Sequence, residues 1–376
     1  MICGADAALV NRAIASADPF PGSRGFAGQL PDGRLVRDVL GRVPLFVEGT
    51  LATWTSADDW AFDPTDLSEP YVVPAGTVAG PDGLDRRWTL PNPEPLPETD
   101  ALDRLHGALE TSLDEVVAED LAIAFSGGVD SALLAATIDA PLYTVGFEGS
   151  NDVAAARDAA AALDANVTVR ELTVPELEAA VPTVARAIDS TNAMDVQIAL
   201  TLYFVAETVA ADGFERVALG QGADELFGGY AKIEAVDHRV DADTVRGARR
   251  EVVENLHGGL TRDTLAIRAA GVDSVVPFLH DRVVDAALRL PTSLIVSKGI
   301  RKRAFRRIAS AYLPEQIARR PKKAMQYGSL VARELDRLAR QAGFKRRMDD
   351  HVGQYVRSRI ESADPPANDD VDSTEL

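Results

Sequence analysis

Ala122-Ile123-Ala124-Phe125-Ser126-Gly127-Gly128-Val129-Asp130-Ser131, followed by the alanine- and leucine-rich run Ala132–Thr137, decides how this chain is read. The apolar stretch from Leu121 to Phe125 predicts a short buried strand, Ser126–Asp130 a tight loop, and Ser131 onward a helix. Adjacent glycines let the backbone approach a ligand and aim consecutive N–H groups at one spot. A helix N-terminus adds roughly half a positive charge there, and the Ser126 and Ser131 hydroxyls add donors, so the turn reads as an anion site. Asp130 fits beside an anion only if it holds a divalent cation that phosphates also bind. The stretch therefore points to a nucleotide-phosphate site with Mg²⁺. The plain alternative is a strand–turn–helix that merely uses glycine. No Gly-Lys-Ser/Thr follows, so this is not a Walker-type loop.

The complete Ser-Gly-Gly-Val-Asp-Ser string resembles the pyrophosphate loop of the ATP-pyrophosphatase superfamily, whose members split ATP between the α- and β-phosphates. Asparagine, GMP, NAD and argininosuccinate synthetases and tRNA-thiolating enzymes share it. The resemblance implies ATP and the bond broken, and leaves the acceptor open.

Composition narrows the class. A 376-residue chain with 46% hydrophobic content suits two soluble domains. No uninterrupted apolar run approaches the roughly 18–20 residues that span a bilayer. Met1-Ile2-Cys3-Gly4 lacks a basic region ahead of an apolar one, which argues against a secretory signal. Cys3 is the single cysteine, which excludes an internal disulfide and suits a reducing cytoplasm. A net charge of −19 opposes nonspecific nucleic-acid binding. Basic residues are mostly arginine, and the lysines are Lys232, Lys298, Lys302, Lys322, Lys323 and Lys345. Such an acidic, lysine-poor composition resembles proteins of salt-adapted cytoplasm, where self-repulsion is screened.

Residues 1–90 read as a small β-rich domain with strands near Arg34–Val39, Pro44–Val47, Thr50–Trp54, Tyr71–Val73 and Thr77–Ala79. The proline-rich stretch 91–98 reads as a stiff linker. From 99 to 361 strands and helices alternate: a helix over Asp100–Val117, strands at Leu142–Phe147, Val167–Val174 and Arg216–Leu219, and helices between them. That pattern predicts an α/β fold, a parallel sheet with helices on both faces, followed by a helical C-terminal part. Ligands in such sheets sit beyond the strand C-termini. The loops after Phe125, Phe147 and Leu219 should therefore share one pocket. Residues 362–376 read as a disordered acidic tail.

A second signature, Leu219-Gly220-Gln221-Gly222-Ala223-Asp224-Glu225-Leu226-Phe227-Gly228-Gly229-Tyr230, follows a strand at the same sheet end. Its acids can complete a cation site with Asp130; the alternative is a solvent-facing helix start with acids that counter its dipole. Together the two strings resemble the synthetase domain of asparagine synthetases, which usually carry Gly-Glu-Gly-Ser-Asp-Glu-Val-Phe-Gly-Gly-Tyr here. Likeness continues through Pro277-Phe278-Leu279, Leu290-Pro291, Lys302-Arg303-Ala304-Phe305-Arg306, Leu313-Pro314-Glu315 and Arg320-Pro321-Lys322. The resemblance implies that Ser126, Gly127, Gly128, Val129, Asp130 and Ser131 hold the pyrophosphate portion of ATP. It puts Phe125, Val145, Leu219 and Gly220 against the adenosine, and Asp130 and Asp224 on Mg²⁺. Lys322 then neutralises charge at the α-phosphate. Lys302 is left between a phosphate-binding role and an exposed helix position.

Arg37-Asp38-Val39-Leu40-Gly41-Arg42-Val43-Pro44-Leu45-Phe46 resembles a string late in the family's glutaminase domain, most of whose earlier part is missing. A glutaminase of that class needs cysteine as its first residue. Here Ile2 precedes Cys3, so the segment is expected to be a structural remnant. Nitrogen would then come from free ammonia or a separate amidotransferase subunit; an oligomer is left open. Departures fall on the acceptor side. Gln221 replaces a family glutamate implicated in handling the nucleophile, and an amide cannot accept a proton as a carboxylate does. Val275 and His280 stand for arginine and aspartate, and Gln197 for an arginine near the amino-acid substrate. Asp263 stands where the family has an acid near the substrate amine. The resemblance implies a ligase that adenylates a carboxylate, most simply aspartate, and amidates it with ammonia. A related amide- or lactam-forming enzyme acting on another carboxylate, and an inactive ATP-binding regulatory protein, are the alternatives.

Overall fold

A computed structural model of the chain describes residues 1–49, 59–80, 83–320 and 329–363. Its centre is a five-stranded parallel sheet in the order Val167–Glu171, Leu142–Gly146, Leu121–Ala124, Arg216–Ala218, Asp273–Val275. Alternate residues of each strand face opposite ways. Leu121, Ile123, Leu142 and Ala218 enter one apolar core, while Ala122, Tyr143, Val145 and Val217 enter a second on the other face. Burial on both faces explains why these strands read as continuous apolar runs. The α/β expectation holds, helical C-terminal part included.

Helix boundaries follow local capping. The Thr173 hydroxyl and the Glu176 carboxylate cap Val174–Ala187 reciprocally, Ser150 caps Asn151–Ala162, and Asn192 caps Ala193–Ala211. The last of these, interrupted by Asp195, Gln197 and Glu207, is the one helix among the described residues apolar and long enough to cross a membrane. Half of its most apolar window is buried inside the fold, with Val196, Leu200, Phe204 and Val209 in the second core.

The N-terminal part is β-rich. Ile2–Cys3, Ala27–Gln29, Leu35–Arg37, Thr77–Gly80 and Gly83–Asp85 form one antiparallel sheet, and Trp60–Ala61, Phe46–Glu48 and Pro70–Val72 form another. The strand expected at Thr50–Trp54 lies outside the described residues. A helix at Ala7–Ser16, capped by Asp6, precedes the first of the expected strands. The proline-rich stretch is tied to the helical part: Leu96 N–H donates to Arg289 O (2.9 Å), Arg246 to Pro93 O (2.6 Å) and Arg250 to Pro91 O (2.8 Å). Ser362 and Ala363 close the helix His351–Ala363 rather than beginning a tail, and 364–376 lie outside the described residues.

One buried charge network joins the N-terminal sheet to the rest. Arg42 Nε lies 2.8 Å from Asp38, and its Nη2 lies 2.7 Å from Asp281. Its Nη1 donates to Leu279 O at 2.7 Å, and the Gly22 and Ser23 amides donate to Asp281 at 2.9 and 2.7 Å. All three charged side chains are fully buried. Removing one member of a buried network strands its partners without counter-charge. Arg42→Ala is therefore expected to cost about 3–5 kcal/mol of stability, read as a lowered urea midpoint; a change below about 1 kcal/mol would show the network to be incidental.

Candidate active site

The sheet order runs outward from Leu121–Ala124 in one direction and resumes with Arg216–Ala218 on its other side. This is the topological switch point of an open parallel sheet, where the C-terminal loops of neighbouring strands open a crevice. The first loop leaves Leu121–Ala124 and enters the helix Val129–Thr137; the second leaves Arg216–Ala218 and enters Ala223–Phe227.

Two glycines set the first contacts. Gly127 has φ +70°, and a Cβ there would run into the Ala155 carbonyl; Arg320 Nη1 bonds that same carbonyl at 2.9 Å and Gly127 O at 3.2 Å. Gly220 is where the two signatures touch: a Cβ on it would lie 2.8 Å from Asp130 Cβ. No side chain caps the helix at Gly128. The Ser126 and Ser131 hydroxyls lie 3.3 Å apart at its start, with Ser126 Oγ 3.4 Å from Gly128 N. Amides and hydroxyls thus cluster at one helix N-terminus, an arrangement suited to an anion.

Asp130 and Asp224 meet through a third residue. Lys302 Nζ is 2.6 Å from Asp130 Oδ2 and 2.5 Å from Asp224 Oδ1. The lysine is 1% exposed, which removes the exposed-helix alternative; it precedes Arg303–Ala309 with φ +56°. Burial pulls its pKa down, and the two carboxylates outweigh that, leaving it raised and the ammonium charged. Next along, burial and the Asp224 charge raise Glu225, which accepts a bond from the Tyr230 hydroxyl. Two carboxylates converging on one ammonium are also a donor set for one hard cation whose remaining ligands are phosphate and water. The residues present therefore fit Mg²⁺.

Other predicted positions divide. Phe125, Val145 and Leu219 have buried side chains, so these strand ends offer a nucleotide mainly backbone. Gln221 donates through Nε2 to Asp263. Asp263 is raised by burial against the pull of Arg262, 2.7 Å away. Arg262 also reaches Asp195 at 2.8 Å. A guanidinium thus enters the Asp195 neighbourhood from the helix Leu256–Arg268. Lys322 lies outside the described residues. Val275 closes an edge strand whose carbonyl accepts from Leu219 N–H at 2.9 Å.

His280 does the structural part of an aspartate's work, its Nδ1 accepting from Arg282 N–H at 3.2 Å as an N-cap.

The chain matches the asparagine synthase family profile over residues 103–261 and 240–361. A protein of Methanocaldococcus jannaschii, provisionally named as a glutamine-hydrolyzing asparagine synthetase, is 32% identical over 301 residues, 69% of this chain and 56% of its own. The Escherichia coli asparagine synthetase B, named as glutamine-hydrolyzing, is 27% identical over 60% of this chain and 45% of its own. The asparagine synthetase of Asparagus officinalis is 26% identical over 78% and 54%. This chain belongs to the asparagine synthetase family. It spans about half the length of the curated relatives it matches.

The buried His280 is held neutral. Burial foremost, then the Arg282 charge, lower its pKa to about 4, with Arg24 adding to that fall and Asp281 and Glu115 opposing it. The unfolded chain binds a proton near pH 6.5 and the folded one only near 4. Stability from this site is thus full above 6.5 and falls as pH drops through that window. His280→Asn keeps an N-cap and removes the titration. Its melting temperature should lose less between pH 6.5 and 4 than wild type, and identical slopes would refute the assignment.

Proposed function

We propose that the chain is an asparagine synthetase-like carbon–nitrogen ligase that adenylates a carboxylate, most simply aspartate, and passes the activated acyl group to ammonia. The observation that carries this reading is the meeting of the two glycine loops at the sheet switch point, with Asp130 and Asp224 on one cation. The phosphates of ATP take the Gly127–Gly128 turn and the open amides of Val129–Thr137, with the Ser126 and Ser131 hydroxyls as further donors. Asp130 and Asp224 hold the Mg²⁺, which when bound neutralises phosphate charge. The substrate carboxylate attacks the α-phosphorus, the α–β bridge breaks, and pyrophosphate leaves with the electron pair. Negative charge built there is met by Lys322, a role carried by family resemblance; a preorganised cation in such a place supplies several kcal/mol. Ammonia then attacks the acyl carbon of the acyl-adenylate, AMP departs with the electron pair of the acyl–oxygen bond, the nitrogen gives up one proton to the departing phosphate or to solvent, and the pocket's remaining task is to keep water from that carbon.

A second reading keeps adenylation and changes the acid. It is favoured by the acceptor end, where Gln221 is committed to Asp263 and the nearby guanidinium is Arg262. The test is exchange of labelled pyrophosphate into ATP across a panel of amino acids, in molar salt to screen the acidic chain, with ammonia and glutamine compared as donors. Aspartate-dependent exchange is expected, and exchange with another acid alone selects the second reading. Tight ATP binding with no pyrophosphate released for any acid would leave a regulatory nucleotide-binding protein. Lys322→Ala is expected to abolish turnover with ATP affinity held within about threefold, a change too small to matter in free energy. Retained turnover overturns its role.

A further inference from the structure

Lys302 is a charge held in place from three directions. Its backbone sits in the left-handed region. The residue before it, Arg301, donates to Gly229 O at 2.8 Å, and Arg306 donates back to Arg301 O at 3.1 Å and to Ala318 O at 2.6 Å. Gly229 leaves the aliphatic stem no spare room: a Cβ there would lie 2.5 Å from Lys302 Cε and would strike the Asp224 carboxylate. The ammonium is thus steered into the gap between one carboxylate from each glycine loop.

A cation fixed in that gap does two things. It ties the loops together when no ligand is present, offsetting the repulsion of two half-buried carboxylates. It also competes for the same oxygen lone pairs as any metal ion and repels that ion at short range. A divalent cation on its own gains little by entering. Arriving with phosphates it brings several negative charges, which give the displaced ammonium a new partner. We propose that Lys302 is a positioning residue, a resident cation that keeps the free protein from taking a divalent metal alone, so that metal enters only together with nucleotide phosphates. This rests on the ATP–Mg²⁺ reading above and adds an order of assembly to it.

The test uses Mn²⁺, whose free-ion electron paramagnetic resonance signal falls on binding. Full-length wild-type protein is titrated with and without the non-cleavable analogue α,β-methylene-ATP, against a control of analogue and Mn²⁺ without protein. Wild type is expected to remove Mn²⁺ from solution only when the analogue is present, and Lys302→Met to bind Mn²⁺ without it at least about tenfold more tightly than wild type. A merely structural lysine would not produce that gain. Should Lys302→Met fail to fold by circular dichroism, Lys302→Gln, which also removes the charge, is titrated in its place against the same expectation. Micromolar Mn²⁺ binding by wild type without analogue overturns the proposal, as does equal affinity in the two proteins. Failure to bind Mn²⁺ even with the analogue would instead overturn the underlying metal assignment.

Discussion

Asp130 and Asp224 can share one ammonium only because the strands before them are hydrogen-bonded neighbours, paired Leu121 to Arg216 and Ile123 to Ala218. A shift of that pairing by one residue would turn every side chain of one strand to the opposite face. The two apolar cores forbid this, since each strand is apolar on both faces but packs against different partners on each. The charge cluster is therefore set by the packing beneath it. Gly220 completes the arrangement, because any larger residue would hold the second loop off Asp130.

Much of this was legible in the chain. Central strands with continuous apolar runs announce themselves, and glycine strings mark turns whatever surrounds them. The strand Asp273–Val275 did not, because Asp-Ser-Val has no intrinsic strand pattern and owes its conformation to pairing with Arg216–Ala218. Nor did Lys302. In sequence it is one basic residue among Arg301, Arg303, Arg306 and Arg307, and nothing local says that it alone turns inward. Its scarcity as a lysine in an arginine-rich chain was the one available signal. The approach of Arg262 to Asp195 was not legible either, because Gly258 and Gly259 weaken helix propensity and leave the phase of Leu256–Arg268 unmarked in the sequence.

The two glycine loops differ in how closely they keep to the family pattern. At the first loop the Ser126 and Ser131 hydroxyls and the uncapped start of Val129–Thr137 lie together, whereas the Phe125, Val145 and Leu219 side chains are buried. At the second loop, position 221 carries an amide where the family usually carries a carboxylate. A glutamate there would set two acids against each other beside Asp263, whereas Gln221 donates to it. Charge there is instead divided among Asp263, Arg262 and Asp195.

Arg42 has a reach beyond its own ion pairs. It grips the Leu279 carbonyl from the N-terminal sheet, and the Leu279 side chain fills the space that a Cβ on Gly222 would need. The strand-rich segment is thus the floor on which the second glycine loop stands. The segment serves as masonry: trimming it away would free the Leu279 carbonyl from Arg42 and loosen one of the supports under the loop that carries Asp224.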